Sequence, residues 1–293
     1  MTETKTTGNT LQKIAVFLEM IKFTHTVFAL PFALTGALLA AGGLPGGMQL
    51  FWICLAMVGA RTAAMGLNRL IDADIDARNP RTAVRAIPAG LMSKGMTLGF
   101  ISASLALLLF AAAQLNPLCL KLAPVAVFFL VLYSYCKRFT ALAHVVLGIC
   151  LAAAPIGAWV AVRGVIEAPS LILGSIVLFW VAGFDILYAL QDLEFDREAG
   201  LHSIPVALGV NGSLWAARLF HLIMLALLIA LLAVLQLGGF FMAGIAVVTA
   251  MLAYEHWLLK DGDLTKLDAA FFNMNGYISI AILIFTTLDV LVR

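Results

Sequence analysis

The sequence predicts an all-α, polytopic membrane protein of nine transmembrane helices, and three observations carry that prediction. Of its 293 residues, 63% are hydrophobic and 12% are charged, and the mean hydropathy is +1.04, outside the range of soluble domains. The apolar residues gather into runs of about 20, the helix length that crosses a hydrocarbon core, whereas a spanning strand would alternate polar and apolar over about 10. The charged residues gather between the runs, at alternate connections.

Taken in order, the polar start MTETKTTGNT leads into a first run at 19–41. That run is too long for a signal-peptide core and has no small-residue cleavage site behind it, so it is expected to stay as a helix. AGGLPGG (41–47) reads as a tight connection. The second run, 49–70, passes into AAMGLNRLIDADIDARNPRTAVRAIPAG (63–90). Runs at 95–114 and 118–135 are joined by QLNP, and the run at 142–162 follows YSYCKR (133–138). The sixth, 170–190, enters a second acidic stretch, FDILYALQDLEFDREAGLHSIPVALG (184–209). Runs at 216–236 and 239–258 meet at QLGGF, and YEHWLLKDGDLTK (254–266) leads to the last run, 271–292. Its DGD lacks the later ligands of a calcium loop.

Odd-numbered connections are nearly free of basic residues, while even-numbered ones hold Arg69, Arg78, Arg81, Arg85 and Lys94, then Lys137 and Arg138, then Arg197 and Arg218, then Lys260 and Lys266. The positive-inside rule then puts the N-terminus and the charged loops in the cytoplasm and the C-terminus on the opposite side of the cytoplasmic (inner) membrane. One domain, 1–293, is expected, with the lipid bilayer as a partner and no nucleic acid. Cys54, Cys119, Cys136 and Cys150 form no CxxC pair, so neither a disulfide framework nor a zinc site is suggested.

Residues four apart on a helix differ by about 40° and share a face. Asn68, Asp72 and Asp76 form such a ladder, and Asp74 points elsewhere. Two carboxylates and a carboxamide on one face suit a hard cation such as Mg²⁺; the same residues also suit a solvated salt-bridge network with the arginines that follow. Asp185, Tyr188, Asp192 and Asp196, at spacings of three, four and four, share a face at the end of another apolar run. Asp185 falls within that run, where an ionisable residue is costly and points to function. Both acidic stretches close on an Ile-Pro…Gly element, IPAG (87–90) and IPVALG (204–209), a weak internal repeat. Two carboxylate clusters can hold metal ions against a diphosphate, with Arg78, Arg81, Arg85, Lys137, Arg138 and Arg197 as candidates for its remaining oxygens.

These residues resemble the signatures of the UbiA superfamily of intramembrane prenyltransferases. NxxxDxxxD is matched by Asn68, Asp72 and Asp76, and DxxYAxxDxxxD by Asp185, Tyr188, Ala189, Asp192 and Asp196; YSYCKR is similar to the Tyr-rich Lys-Arg turn after the family's fourth helix. The resemblance implies nine helices around a central cavity capped by the two aspartate-rich loops. It implies transfer of a prenyl chain from an isoprenyl diphosphate donor to a small aromatic acceptor, with Mg²⁺ held by Asn68, Asp72, Asp76, Asp192 and Asp196. Asp185, Tyr188 and Asp192 are then the expected catalytic residues, with Asp185 and Tyr188 near the ring or the allylic cation. One helix end must meet both an apolar tail and a diphosphate, which accounts for its crowded charge.

Lys22 and His25, in KFTHTVFALPFA, stand where many quinone-pathway members carry an Arg-x-x-Lys-Pro-type start, and they are the candidates for acceptor binding. The sequence resembles the 4-hydroxybenzoate polyprenyltransferase-like branch, which implies 4-hydroxybenzoate as acceptor in ubiquinone or menaquinone synthesis, or a futalosine-pathway precursor in its place. A cation-coupled transporter is the rival class. It would place acids near the bilayer midplane, whereas most of these acids sit at helix ends.

Overall fold

The structure is a computed structural model that describes residues 10–21, 29–259 and 267–292. Helix α1 (Thr10–Met20) precedes α2 (Leu30–Ala41), which starts on Pro31 and stops at Gly42, whose φ of 60° lets its N–H return to the carbonyls of Leu38 and Leu39. Helix α3 (Gly47–Ile71) continues through one turn into the short α4 (Ala73–Asp76). Ser93 caps α5 (Lys94–Leu115), Asn116 caps α6 (Pro117–Cys136), and α7 (Ala143–Arg163) follows. A capping box between Glu167 and Ser170 opens α8 (Ala168–Ala189). A 3₁₀ turn (Leu190–Asp192) and α9 (Leu193–Glu198) lead to α10 (Ile204–Val234), capped by Ser203, then α11 (Gly239–Leu258) and α12 (Leu267–Val292).

Among the described residues, eight helices are long and apolar enough to cross a membrane, and α2 is a shorter apolar helix. The expected first span, 19–41, is thus matched in its second half by α2, while α1 ends at Met20 and residues 22–28 lie outside the described set. The expected run at 216–236 begins earlier, at Ile204, because Ser203 and Pro205 start a helix there that bends at Gly209 (φ 68°). Gly90, the matching glycine of the repeat, also has a left-handed φ of 73°. Their contexts differ: Ile87-Pro88 lies in turns, Ile204-Pro205 in the first turn of a helix.

In lipid the helices gain nothing from leaving water, so close backbone approach and polar ties must hold them. A Cβ on Gly59 would stand 2.8 Å from Leu108 N, joining α3 to α5; one on Gly148 would stand 2.6 Å from the Leu178 carbonyl, joining α7 to α8. Trp180 donates to Asn275 (3.0 Å), His221 meets His256 (2.9 Å), and Asp289 accepts the N–H groups of Gly238 and Phe241 at the start of α11. Phe32, Trp180, Met224, Leu228 and Val248 belong to the main buried cluster between α2, α8, α10, α11 and α12. On the other side of α7 and α8 lies a cavity, enclosed with α3, α5 and α6.

Candidate active site

The cavity holds about 1100 Å³. Its mouth is built where α3, α6 and α8 end and α7 begins, and its interior is lined by apolar residues such as Met57, Leu122, Phe129, Leu151 and Leu178. Asn68, Asp72, Asp76, Arg81, Arg85, Lys137, Asp185, Tyr188, Asp192 and Asp196 all line this one space.

Three carboxylates at the mouth, those of Asp72, Asp76 and Asp192, are ion-paired. Asp72, 2% exposed, meets Lys137 Nζ at 2.7 Å and Arg138 at 3.1 Å, and accepts the Asn68 amide at 2.9 Å. Asp76 takes both its contacts from Arg85, each at 2.7 Å. Asp192 accepts Arg81 Nε at 2.8 Å and the Asn79 amide at 2.9 Å, and a second Arg81 nitrogen completes a bidentate pair. Arg81 also donates to the Tyr188 hydroxyl at 3.1 Å. Burial works against the Arg81 charge, but the hydrogen bonds and charge of Asp192 outweigh it and hold the guanidinium more firmly protonated than usual. Asp72 is thus matched by two cations and an amide, so that loss of either cation alone does not leave its charge unpaired.

Two further polar groups stand on α8 and α3 ahead of the mouth residues, and one of them is met by a histidine at the start of α7. Asp185 precedes Asp192 by seven residues, and Arg61 precedes Asn68 by seven, which places each roughly 10 Å below its mouth residue at 1.5 Å per residue. Asp185 Oδ2 lies 2.7 Å from Nδ1 of His144, which is 4% exposed. Arg61 lines the cavity, and its Nε is buried with no hydrogen-bond partner among the described residues.

The expected ladders are therefore brought together in space, with differences at individual residues. Asn68 engages neighbours with both ends of its amide: Oδ1 accepts from Arg69 at 3.2 Å while Nδ2 donates to Asp72. Among the expected phosphate cations, Arg81, Arg85 and Lys137 line the cavity, but Arg78, Arg138 and Arg197 do not. Arg78 is exposed and donates to the Asp74 carbonyl, Arg197 is exposed and pairs with Glu194, and Arg138 is spent on Asp72 and the carbonyls of Ile71 and Ser134. Asp74 is exposed, and the Lys94 ammonium at 2.9 Å holds its carboxyl below the usual range. Lys22 and His25 lie outside the described residues. Asn275 both lines the cavity and ties α12 to α8.

Arg61, Asn79 and His144 were not singled out by sequence reasoning. For Arg61 and His144 a signal existed, an ionisable residue inside an apolar run; Asn79 offers none, since its partner lies 113 residues away. Among the described residues no three Asp, Glu, His or Cys side chains converge as a metal site, because Arg81, Arg85, Lys137 and Arg138 stand between the carboxylates. The donor set nevertheless fits a hard divalent cation: Asp72, Asp76, Asp192 and Asp196 supply carboxylate oxygens around one mouth.

Comparison with known proteins bears on this geometry. The model of the UbiA prenyltransferase family matches residues 29–277. The 4-hydroxybenzoate octaprenyltransferase of Aliivibrio fischeri (strain MJ11) is 30% identical over 247 residues, covering 83% of this chain and 86% of that protein. The enzyme of the same name from Francisella tularensis subsp. tularensis (strain WY96-3418) is 30% identical over 261 residues, 89% of each. The apo structure of a UbiA homolog from Aeropyrum pernix K1 superimposes with a TM-score of 0.83 at 33% identity, over 91% of this chain and 98% of that one. A UbiA homolog from Archaeoglobus fulgidus bound to DMAPP and Mg²⁺ shares the fold at 19% identity, over 94% of this chain and 99% of that one, with a TM-score of 0.75.

Proposed function

This chain belongs to the UbiA prenyltransferase family, and from that premise we propose that it transfers a polyprenyl chain from an isoprenyl diphosphate to 4-hydroxybenzoate in respiratory quinone synthesis. The names of its relatives support the acceptor. The observation that carries the reading is Arg61: a guanidinium without a partner among the described residues, in the apolar wall of a cavity whose mouth is crowded with paired charge. A small aromatic acid satisfies it, with carboxylate on Arg61 and ring in the apolar space. A neutral ring would leave the cation desolvated and unmatched.

At the mouth, Asp72, Asp76, Asp192 and Asp196 are the residues that would hold Mg²⁺, with Asn68 orienting Asp72. When bound, the ion neutralises the departing diphosphate. Arg81, Arg85 and Lys137 are released from the carboxylates they pair with in this structure and turn to phosphate oxygens, which keeps the charge of the mouth balanced. Arg138, tied to two backbone carbonyls, stays as a fixed support. Tyr188, hydrogen-bonded to Arg81, faces the donor where its C1–O bond breaks. The apolar interior receives the prenyl tail and excludes water from the allylic cation. The asymmetry of basic residues supports a cytoplasmic mouth in the inner membrane, with the C-terminus on the opposite side.

Purified protein in detergent, given labelled farnesyl diphosphate, Mg²⁺ and 4-hydroxybenzoate, is expected to form a ring-prenylated product, and to stop on addition of EDTA. Folded Asp72→Asn and Asp192→Asn variants are expected to lose turnover. Donor binding without product would remove 4-hydroxybenzoate as acceptor, and absence of donor binding would remove the prenyltransfer reading itself.

A further inference from the structure

We propose that Asp185 takes the proton released from the prenylated ring carbon, and that His144 is the positioning residue that aims Asp185 at it. This rests on the reading of the acceptor given above.

The proton must go somewhere when the reaction closes. The C1–O bond of the donor breaks and its electron pair leaves with the diphosphate, the ring carbon beside the hydroxyl bonds to C1, and the C–H pair of that carbon returns to the ring as its proton departs. Among the described cavity-lining residues, five carry carboxylates: Asp72, Asp76, Asp185, Asp192 and Asp196. Asp72, Asp76 and Asp192 are matched by Lys, Arg or Asn at the mouth, and Asp196 lies four residues beyond Asp192, farther from the apolar interior. Asp185 stands seven residues before Asp192, toward the apolar interior, in the cavity that Arg61 also lines. A ring whose carboxylate is held by Arg61 lies in the cavity that Asp185 also lines.

The hydrogen bonds fix which atom is offered. The backbone N–H of Ile204, an orphan donor at the start of α10, donates to His144 Nε2 at 3.4 Å. A backbone N–H can only donate, so Nε2 carries no proton, and the ring proton sits on Nδ1, which donates to Asp185 Oδ2 at 2.7 Å. Oδ1 of Asp185 accepts no hydrogen bond among the described residues and is left for the proton. His144 reaches Asp185 because α7 and α8 approach closely at Gly148 and Leu178, one turn further along α7.

The test uses 4-hydroxybenzoate deuterated at both positions beside the hydroxyl, with full-length protein in detergent. In the wild type, proton loss follows the slower bond-breaking step, and kcat is expected to be the same for both isotopologues. In His144→Ala, kcat is expected to fall, a normal isotope effect on kcat to appear, and the donor KM to stay unchanged. His144→Gln, whose amide can serve both Ile204 and Asp185, is expected to recover most of kcat and lose the isotope effect. Asp185→Asn is expected to show the largest fall in kcat and the same isotope effect, and it carries the test if His144→Ala does not fold. Folded variants whose isotope effect stays at unity, with kcat lost or intact, would overturn the proposal while leaving the acceptor in place; a wild type that does not prenylate 4-hydroxybenzoate would overturn both.

Discussion

Asn79 donates its side-chain amide to Asp192 over 2.9 Å, joining two segments 113 residues apart in the chain. Its own carbonyl oxygen accepts the backbone N–H of Arg81 at 2.9 Å, so one buried amide sets both the carboxylate and the backbone of the arginine that pairs with it. A hydrogen bond to a charged group is worth about 1.5–3 kcal/mol. Asn79→Ala is therefore expected to lower kcat/KM for the donor by about 10-fold or more, measured under saturating acceptor. An unchanged value would mean that Arg81 and Asp192 hold each other without it.

Arg61 leads to a different kinetic signature. If its guanidinium takes the acceptor carboxylate, Arg61→Leu should raise the KM for 4-hydroxybenzoate by about 10-fold or more, from the loss of one charge-assisted bond, and leave the donor KM alone. Steady-state kinetics with each substrate varied in turn would separate the two. An equal rise in both would assign Arg61 to the architecture of the cavity.

Packing of α7 on α8 can be tested at Gly148, where an added methyl would stand 2.6 Å from the backbone carbonyl of Leu178. Backbone cannot yield as a side chain can, and overpacking costs typically about 1–3 kcal/mol. Gly148→Ala is expected to lower the Tm in detergent and, by moving α7 away from α8, to lower kcat as well. Gly99→Ala, on the exposed face of α5 with open space before its Cβ and outside the cavity lining, is the control and should change neither by much.

On the face opposite the mouth, Glu167 accepts Trp159 Nε1 at 2.8 Å and pairs with Arg163. The Trp159 hydrogen bond, then that of Arg163, holds its carboxyl below the usual glutamate range. A depressed folded-state pKa contributes stability above the unfolded value, about 4.3, and loses it as pH falls through the folded value. The Tm difference between wild type and Glu167→Gln is expected to be present at neutral pH and to close below about pH 4. A difference that persisted unchanged into acid would show that the charge is not what Glu167 contributes.

Much of this protein was readable from residue order because lipid is a simple solvent: a run of about 20 apolar residues has almost no choice but to be a helix. The bounds of α3, α5, α6, α7 and α11 lie within about two residues of the runs marked from sequence. The ladders Asn68–Asp72–Asp76 and Asp185–Tyr188–Asp192–Asp196 were equally legible, since helical periodicity is a local property, and they line one cavity, as the family resemblance implied. Start points were less so where a cap outweighs hydropathy, as Ser203 does for α10.

What the sequence by itself determined is the helical membrane architecture, the alternation of charged and bare connections, and the two acidic faces. Which cations meet which carboxylates was decided only in three dimensions: Arg85 turns to Asp76 and Arg81 crosses to Asp192, while Arg78 and Arg197 face out. So were the partners Asn79 for Asp192 and His144 for Asp185. Helical periodicity fixes only which side of its own helix a residue occupies. Which residue of another helix it meets depends on how glycines such as Gly59 and Gly148 let the backbones approach, and local sequence does not contain that information.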